Sequence, residues 1–164
     1  MPSTPAEITI YNEIEARAGN IQYSNGYHTG VRRIERSRLT PFKGGDWPSF
    51  SFWPTFAPTE GDIYDGEEHT LSIVLGYFDE TRDEPFADLT AKMKADVIVA
   101  MNRASTAPGV GDAESPDLGG LVSSFNIIDC EFIIGEGQKP WCGVLLEARV
   151  KYRSDHADPF AVEP

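Results

Sequence analysis

Apolar positions along this chain follow two periods, and the switches between them mark its elements. Phe86, Leu89, Met93, Val97 and Met101 recur at steps of three and four. That spacing predicts a helix over 86–101 with one apolar stripe facing a sheet. Asp88 stands one turn before Lys92 and is expected to pair with it. A shorter helix is predicted near the start, where Ile10, Ile14 and Arg17 follow at helical spacing beside Ile8 and Tyr11. Thr4 is expected to cap it, Pro5 to take its first position, Glu7 to complete a capping box and Gly19-Asn20 to end it. So short a helix draws most of its stability from packing.

A period of two governs the other segments. Leu71, Ile73, Leu75 and Tyr77 share one face of the 69–78 run, with Val74 and Phe78 on the other. This predicts a central strand buried on both sides. In 141–153, Val144, Leu146, Ala148, Val150 and Tyr152 alternate with Leu145, Glu147, Arg149, Lys151 and Arg153. One face of that strand is expected in the core and the other in solvent. Segments 122–128 and 130–134 read as two further strands, and Gly135-Glu136-Gly137 as a hairpin turn. Segment 28–39 carries Val31 and Ile34 among Arg32, Arg33, Arg36 and Arg38. It reads as a polar strand at or near a sheet edge, preceded by a turn at Ser24-Asn25-Gly26. Segment 47–56 sets Phe50, Phe52 and Phe56 against Trp47 and Trp53, and Pro48 and Pro54 limit it to a short strand. Core packing is the favoured role for these rings over a sugar or base platform.

Three segments lack a period. The acidic stretch 59–68 lacks the ligand alternation of a calcium loop. Segment 104–120, rich in Ala, Ser, Pro and Gly, reads as one long flexible loop. Segment 155–164 reads as a polar tail.

Composition narrows the class. With 164 residues, 40% hydrophobic and 24% charged, the chain suits a single domain over 1–164. Its formal charge of −12 argues against a grip on nucleic acid, which needs clustered cations facing phosphates. No apolar run reaches the roughly 20 residues of a membrane-spanning helix, and the first residues lack the pattern of a secretory signal. The expected compartment is the cytoplasm. Cys130 and Cys142 flank the predicted turn symmetrically about Glu136, which would set their thiols opposite each other on neighbouring strands. In a reducing compartment they are expected as small buried hydrophobes, and their spacing is not that of a metal site.

Candidate chemistry is sparse. The chain has no phosphate-binding glycine loop, no G-x-S-x-G elbow and no zinc-type histidine pair. His28, His69 and His156 are far apart. A pocket uniting a histidine with Cys130, Cys142 or an acid remains the route to a small hydrolase or ligand-binding protein. The favoured reading is not an enzyme, and expects no cofactor and no metal.

The order of motifs resembles that of tailed-bacteriophage tail terminator proteins. The pieces that carry the resemblance are Gly45-Asp46-Trp47-Pro48, Leu71 to Phe78, Phe86 to Met101, Asp117-Leu118-Gly119-Gly120, Val150-Lys151-Tyr152-Arg153 and Asp158-Pro159-Phe160. They span nearly the whole chain. One departure is that Asp117 directly precedes Leu118, with Glu114 further upstream. The resemblance implies an α+β fold, an α/β sandwich: a single mixed, mainly antiparallel sheet with two helices packed on it and a long loop before a C-terminal hairpin. It also implies a homohexameric ring that caps the tail tube, ends its polymerisation and meets a head-completion, stopper or connector protein. Genome DNA would pass through without specific binding, and the protein would belong to the virion neck, assembled in the host cytoplasm. Another head–tail joining protein is the nearest alternative. The interface residues expected on this reading are Arg32, Arg33, Arg36, Asp117, Leu118, Gly119, Gly120, Arg149, Lys151 and Arg153.

Overall fold

The long helix forms where the three-and-four stripe predicts it. In a computed structural model of the chain, α1 spans Ala6–Gly19 and α2 spans Phe86–Met101. The structure describes residues 5–37, 46–55, 69–80, 84–105, 114–135, 140–155 and 158–162, with backbone alone for 154–162. On α2, Leu89, Met93, Val97 and Met101 are buried, and Phe86 is half-buried. Lys92 pairs with Glu84, ahead of the helix, and not with Asp88 as the one-turn spacing suggested.

The start of α1 differs from expectation. Pro5 stands at the N-cap, one place earlier than predicted, and no side chain caps the helix there. Thr4 lies outside the described residues. Glu7 accepts a hydrogen bond from the Tyr152 hydroxyl at 3.0 Å, so it serves the sheet. Gly19 ends the helix with Asn20 as its C-cap. Tyr23–Asn25 make one 3-10 turn, closed by Gly26 at φ 83°.

Five strands form one sheet: β1 (Arg33–Arg36), β2 (Ser49–Thr55), β3 (His69–Glu80), β4 (Ser124–Gly135) and β5 (Trp141–Tyr152). Their order is β1-β2-β3-β5-β4. The β1–β2 pair is parallel and the other pairs are antiparallel. This is an α+β fold with a mixed, mostly antiparallel sheet and two packed helices.

The 28–39 strand is shorter than its sequence suggests. Asp96 on α2 accepts bonds from the His28 and Thr29 N–H groups at 3.1 and 2.8 Å, and from the Thr29 hydroxyl at 2.5 Å. Those donors are satisfied by the helix side chain, so pairing with β2 begins only at Arg33. Arg38, Leu39, Phe56 and the acidic stretch 59–68 lie outside the described residues.

β4 is one strand where two were expected. Its register on β5 shifts between Ile127 and Asp129, leaving Ile128 as the extra residue of a bulge. The hairpin also turns later than predicted. Ile134 faces Cys142 and Cys130 faces Leu146, so the two thiols are not opposite each other. Gly135 is required as a strand residue: a Cβ there would stand 1.7 Å from the Trp141 ring. Cys142 is buried, and burial pushes its thiol up to about 11.

The predicted polar tail also differs. β6 (Ser154–Asp155) and β7 (Asp158–Val162) pair antiparallel in a separate two-stranded ladder, with β7 beside α1. Five residues with one proline carry too little alternation to announce a strand.

The helices and the main core share one face. Phe50, Tyr77 and Val144 lie in register there, as do Phe52, Leu75 and Leu146, against Ile10, Ile14, Met93 and Val97. Each such side chain contributes about 1.5–3 kcal/mol by leaving water. β3 is less evenly buried than predicted. Ile73, Leu75 and Tyr77 are enclosed, while Val74 and Phe78 on the other face are half-buried. On that second face Phe78 lies over Gly76 and Gly143, where added Cβ atoms would meet its ring at 2.7 and 2.5 Å. Trp141 sits edge-on to Phe78, and Trp47 stacks on Trp141.

Candidate interaction surfaces

The Asp117–Gly120 turn is built from beneath by Arg17. Helical spacing placed Arg17 on the core face of α1, and there it is only 1% exposed. A buried guanidinium requires acceptors. Arg17 donates to the carbonyls of Met101 and Ser115, each at 2.7 Å, to the Ser115 hydroxyl at 3.2 Å and to Glu13 at 2.7 Å. It therefore joins α1, the end of α2 and the segment entering the turn.

Ser115 passes this order outward. Its hydroxyl donates to Asp117 at 3.1 Å and accepts from the Gly119 N–H at 2.8 Å. Burial pushes the Asp117 carboxyl up, but that effect is outweighed. The Ser115 hydroxyl and the backbone N–H groups of Gly120 and Gly119 together hold the carboxyl below its ordinary value. Leu118, Gly119 and Gly120 have φ of 52°, 77° and 83°, three left-handed residues in succession. Glycine accepts that conformation freely, and leucine takes it at a cost. The compensation at Leu118 is burial, since its side chain is fully enclosed in the core.

This corrects one interface expectation: Leu118 anchors the turn from inside, while Asp117, Gly119 and Gly120 are exposed. The described ends of the 104–120 segment are held together. Arg103 bridges Glu114, Ser115 N–H donates to the Asn102 carbonyl at 2.9 Å and Asn20 donates to the Ser105 carbonyl at 2.5 Å. Residues 106–113 lie outside the described set.

The arginines on and before β1 divide by role. Arg36 reaches α1, donating to Glu15 at 2.5 and 2.8 Å and to Asn12 at 2.6 Å, with its guanidinium 5.8 Å from the Phe52 ring centre. Arg33 pairs with Asp46 and Glu35, each at 2.5 Å. Arg32 is exposed and makes no ion pair among the described residues. On β5, Arg149 and Lys151 point to the face away from the helices, and Arg153 is exposed just beyond the strand. β2 and β3 separate the β1 arginines from those of β5. The predicted residues thus form separate surfaces, not one site.

One surface was not anticipated. Ile128, Phe132 and Ile134 on β4 are 46%, 48% and 60% exposed. Three of the five exposed large apolar side chains among the described residues therefore share one edge strand. Segments 122–128 and 130–134 read as strands, but carried no sign of which strand ends the sheet.

The described recesses do not bring a histidine to a thiol. One of about 630 Å³ lies between α2 and β4, lined by Lys94, Ile98, Ile127 and Cys130 among others. Another of about 640 Å³ is lined by Arg32, Trp47, Asp79, Glu80 and Glu84 among others. His69 stacks on Tyr152 with ring centres 5.0 Å apart, and His156 lies outside the described residues. Among the described residues no three His, Cys, Asp or Glu side chains group as metal ligands, and no helix is long and apolar enough to cross a membrane. No protein-family model matches the chain, and no curated protein matches it in sequence.

Proposed function

We propose that this chain is a tail-terminator-like structural subunit that assembles head to tail into a ring, caps a phage tail tube and joins it to a head-completion or connector protein. The observation that carries the reading is that the sheet ends in two unlike edges. β1 is four residues long and arginine-bearing, whereas β4 is twelve residues long, with exposed apolar and acidic side chains. A two-fold dimer needs one self-complementary patch, while a ring needs two different patches that fit each other. The motif order that resembles tail terminators also maps onto successive elements. Trp47-Pro48 enters β2, the central strand is β3, the long helix is α2, Asp117–Gly120 is a fixed turn and Tyr152-Arg153 closes β5.

In this reading the protein works by shape. Asp117, Gly119 and Gly120 offer a rigid loop surface, and Arg149, Lys151 and Arg153 a charged one, to the tube or head proteins. Genome DNA passes through an acidic ring without being held.

The test is to add purified protein to polymerising tail-tube protein and measure tube lengths by electron microscopy, alongside a virus lacking the gene. The expected result is short tubes capped at one end in vitro and overlong tails in the mutant. Uncapped tubes and normal tail lengths would overturn the proposal. A position between the portal and another neck ring in a virion reconstruction would identify a different head–tail joining protein.

A further inference from the structure

Within that ring reading, we infer that the β4 edge between Cys130 and Gly135 is the docking surface for a second copy of this chain, and that it receives the arginine-bearing edge from Arg32 to Arg36. The first argument is exposure. Long, apolar, open edge strands are rare on monomers because they pair with whatever chain they meet. β4 pairs only with β5 among the described strands. Its helix-side face carries Phe132 and Ile134 beyond the cover of α2, where Lys94 reaches toward the Phe132 ring, at 5.9 Å. The bulge at Ile128 interrupts the first half of the strand. The regular run Cys130 to Gly135 is left, comparable in length to β1.

The second argument is charge, and it selects the partner. Asp129 and Glu131 lie on the opposite face of β4 and are exposed. Two β4 edges brought together about a two-fold axis near Cys130 or Glu131 would set carboxylate against carboxylate, and like charges across a strand pair are destabilising. The β1 side offers one cation of the reverse sign. Arg32 is exposed and without an ion pair among the described residues, while Arg33 beside it is paired with Asp46 and Glu35 and Arg36 with Glu15. Arginine also brings the planar fork that carboxylates bind in two places. Phe132 and Ile134 then supply buried apolar area, and the Arg32–Glu131 region fixes direction.

The experiment uses the intact chain and its own cysteine. Cys130 lies on β4, while Cys142 is buried. The Arg33→Cys variant is treated with a short bis-maleimide. The expected product is a ladder of covalent multimers, because each copy then carries one thiol at each edge. The parent chain should give no multimers. A single covalent dimer from the parent would show that β4 meets β4, and would overturn the inference.

A charge swap keeps the test independent of that variant's folding. Arg32→Glu alone and Glu131→Arg alone should each lower the oligomer fraction at least tenfold by native mass spectrometry, and the two together should restore it. No restoration overturns the inference, as does a monomer at all concentrations. Rings that form without the ladder or the restoration would refute this docking surface while leaving the terminator reading intact. A ladder and restored rings that fail to cap tubes would do the opposite.

Discussion

Replacing Arg17 with methionine tests the structural logic most directly. Methionine keeps much of the apolar stem and removes only the guanidinium. Two carbonyl oxygens, of Met101 and Ser115, then lose donors at 2.7 Å, the first buried and the second partly buried. Leaving a buried acceptor unsatisfied costs about 1–3 kcal/mol. The pair with Glu13 is also broken, and loss of one partner from a buried ionic group typically costs about 3–5 kcal/mol in all. Since domains of this size are stable by about 5–15 kcal/mol, a large fraction of the total is at stake. The melting temperature should fall by about 6–20 °C, at about 2–4 °C per kcal/mol.

Urea unfolding followed by circular dichroism gives the magnitude, and amide exchange gives the place. The Gly119 N–H is held by the Ser115 hydroxyl, which Arg17 holds in turn, so its protection should drop more than that of β3 amides. Glu13→Gln is the control, because its amide oxygen still accepts from Arg17 while its NH2 can donate to the Ser105 hydroxyl oxygen in place of the present 3.0 Å bond. It should cost less than Arg17→Met, since Arg17 keeps both carbonyl acceptors and a hydrogen bond to residue 13. An Arg17→Met loss no greater than that of the control would refute the account of Arg17 as the clamp beneath the turn.

Other outcomes follow from the same geometry. Gly120→Ala should destabilise by about 1–2 kcal/mol through its φ alone, since no atom lies within 4 Å of the added methyl; chemical denaturation measures this, and an Asn substitution should recover part of the loss. Asp96→Ala strands two backbone N–H groups and a hydroxyl, and should cost about 2–4 kcal/mol in urea with exchange protection lost at His28 and Thr29. The Cys142 thiol, ordinarily at 9.0, is held at about 11, so the folded chain keeps a proton that the unfolded chain releases. Its contribution is therefore complete below pH 9 and lost as pH rises toward 11, and Cys142→Ala should flatten that part of the urea midpoint's fall with pH. Charge reversal at Arg149 or Arg153 should leave the urea midpoint within about 0.5 kcal/mol, as expected of exposed positions, while weakening tube or head docking in a pull-down.

Legibility from sequence followed the range of each interaction. The α2 stripe and the β5 alternation are local, and both survive folding nearly residue for residue. The face on which Phe50 and Phe52 pack was likewise readable from parity. Register was not. The sequence reads as two strands, 122–128 and 130–134, parted at Asp129, but the interruption is a bulge at Ile128 inside one strand. Gly135 reads as a turn residue, yet it is a strand residue kept bare by the Trp141 ring. Arg17 reads as an irregularity in an apolar stripe, because its carbonyl acceptors come from segments more than eighty residues away. Leu118 reads as part of a loop, because nothing local shows that a left-handed backbone aims its side chain inward.

The two open edges also bear on how so acidic a chain associates. Copies that each carry −12 repel one another at long range, so a random encounter is disfavoured. Ions screen that repulsion beyond about 8 Å at physiological salt, whereas contacts within an interface are screened much less. In the proposed ring, approach is therefore opposed everywhere except where arginines lead. Arg32, exposed and without an ion pair among the described residues, is the cation at the β1 edge that offsets the repulsion, and the acidic residues of β4 are where it gains most. Phe132 and Ile134 then hold what the charges have oriented, since apolar contact has no direction of its own. Moderate salt should speed ring formation by relieving global repulsion, while high salt should weaken register by screening the Arg32–Glu131 region. A chain associating by apolar contact alone would instead strengthen steadily with salt, so an optimum in the oligomer fraction against ionic strength distinguishes the two.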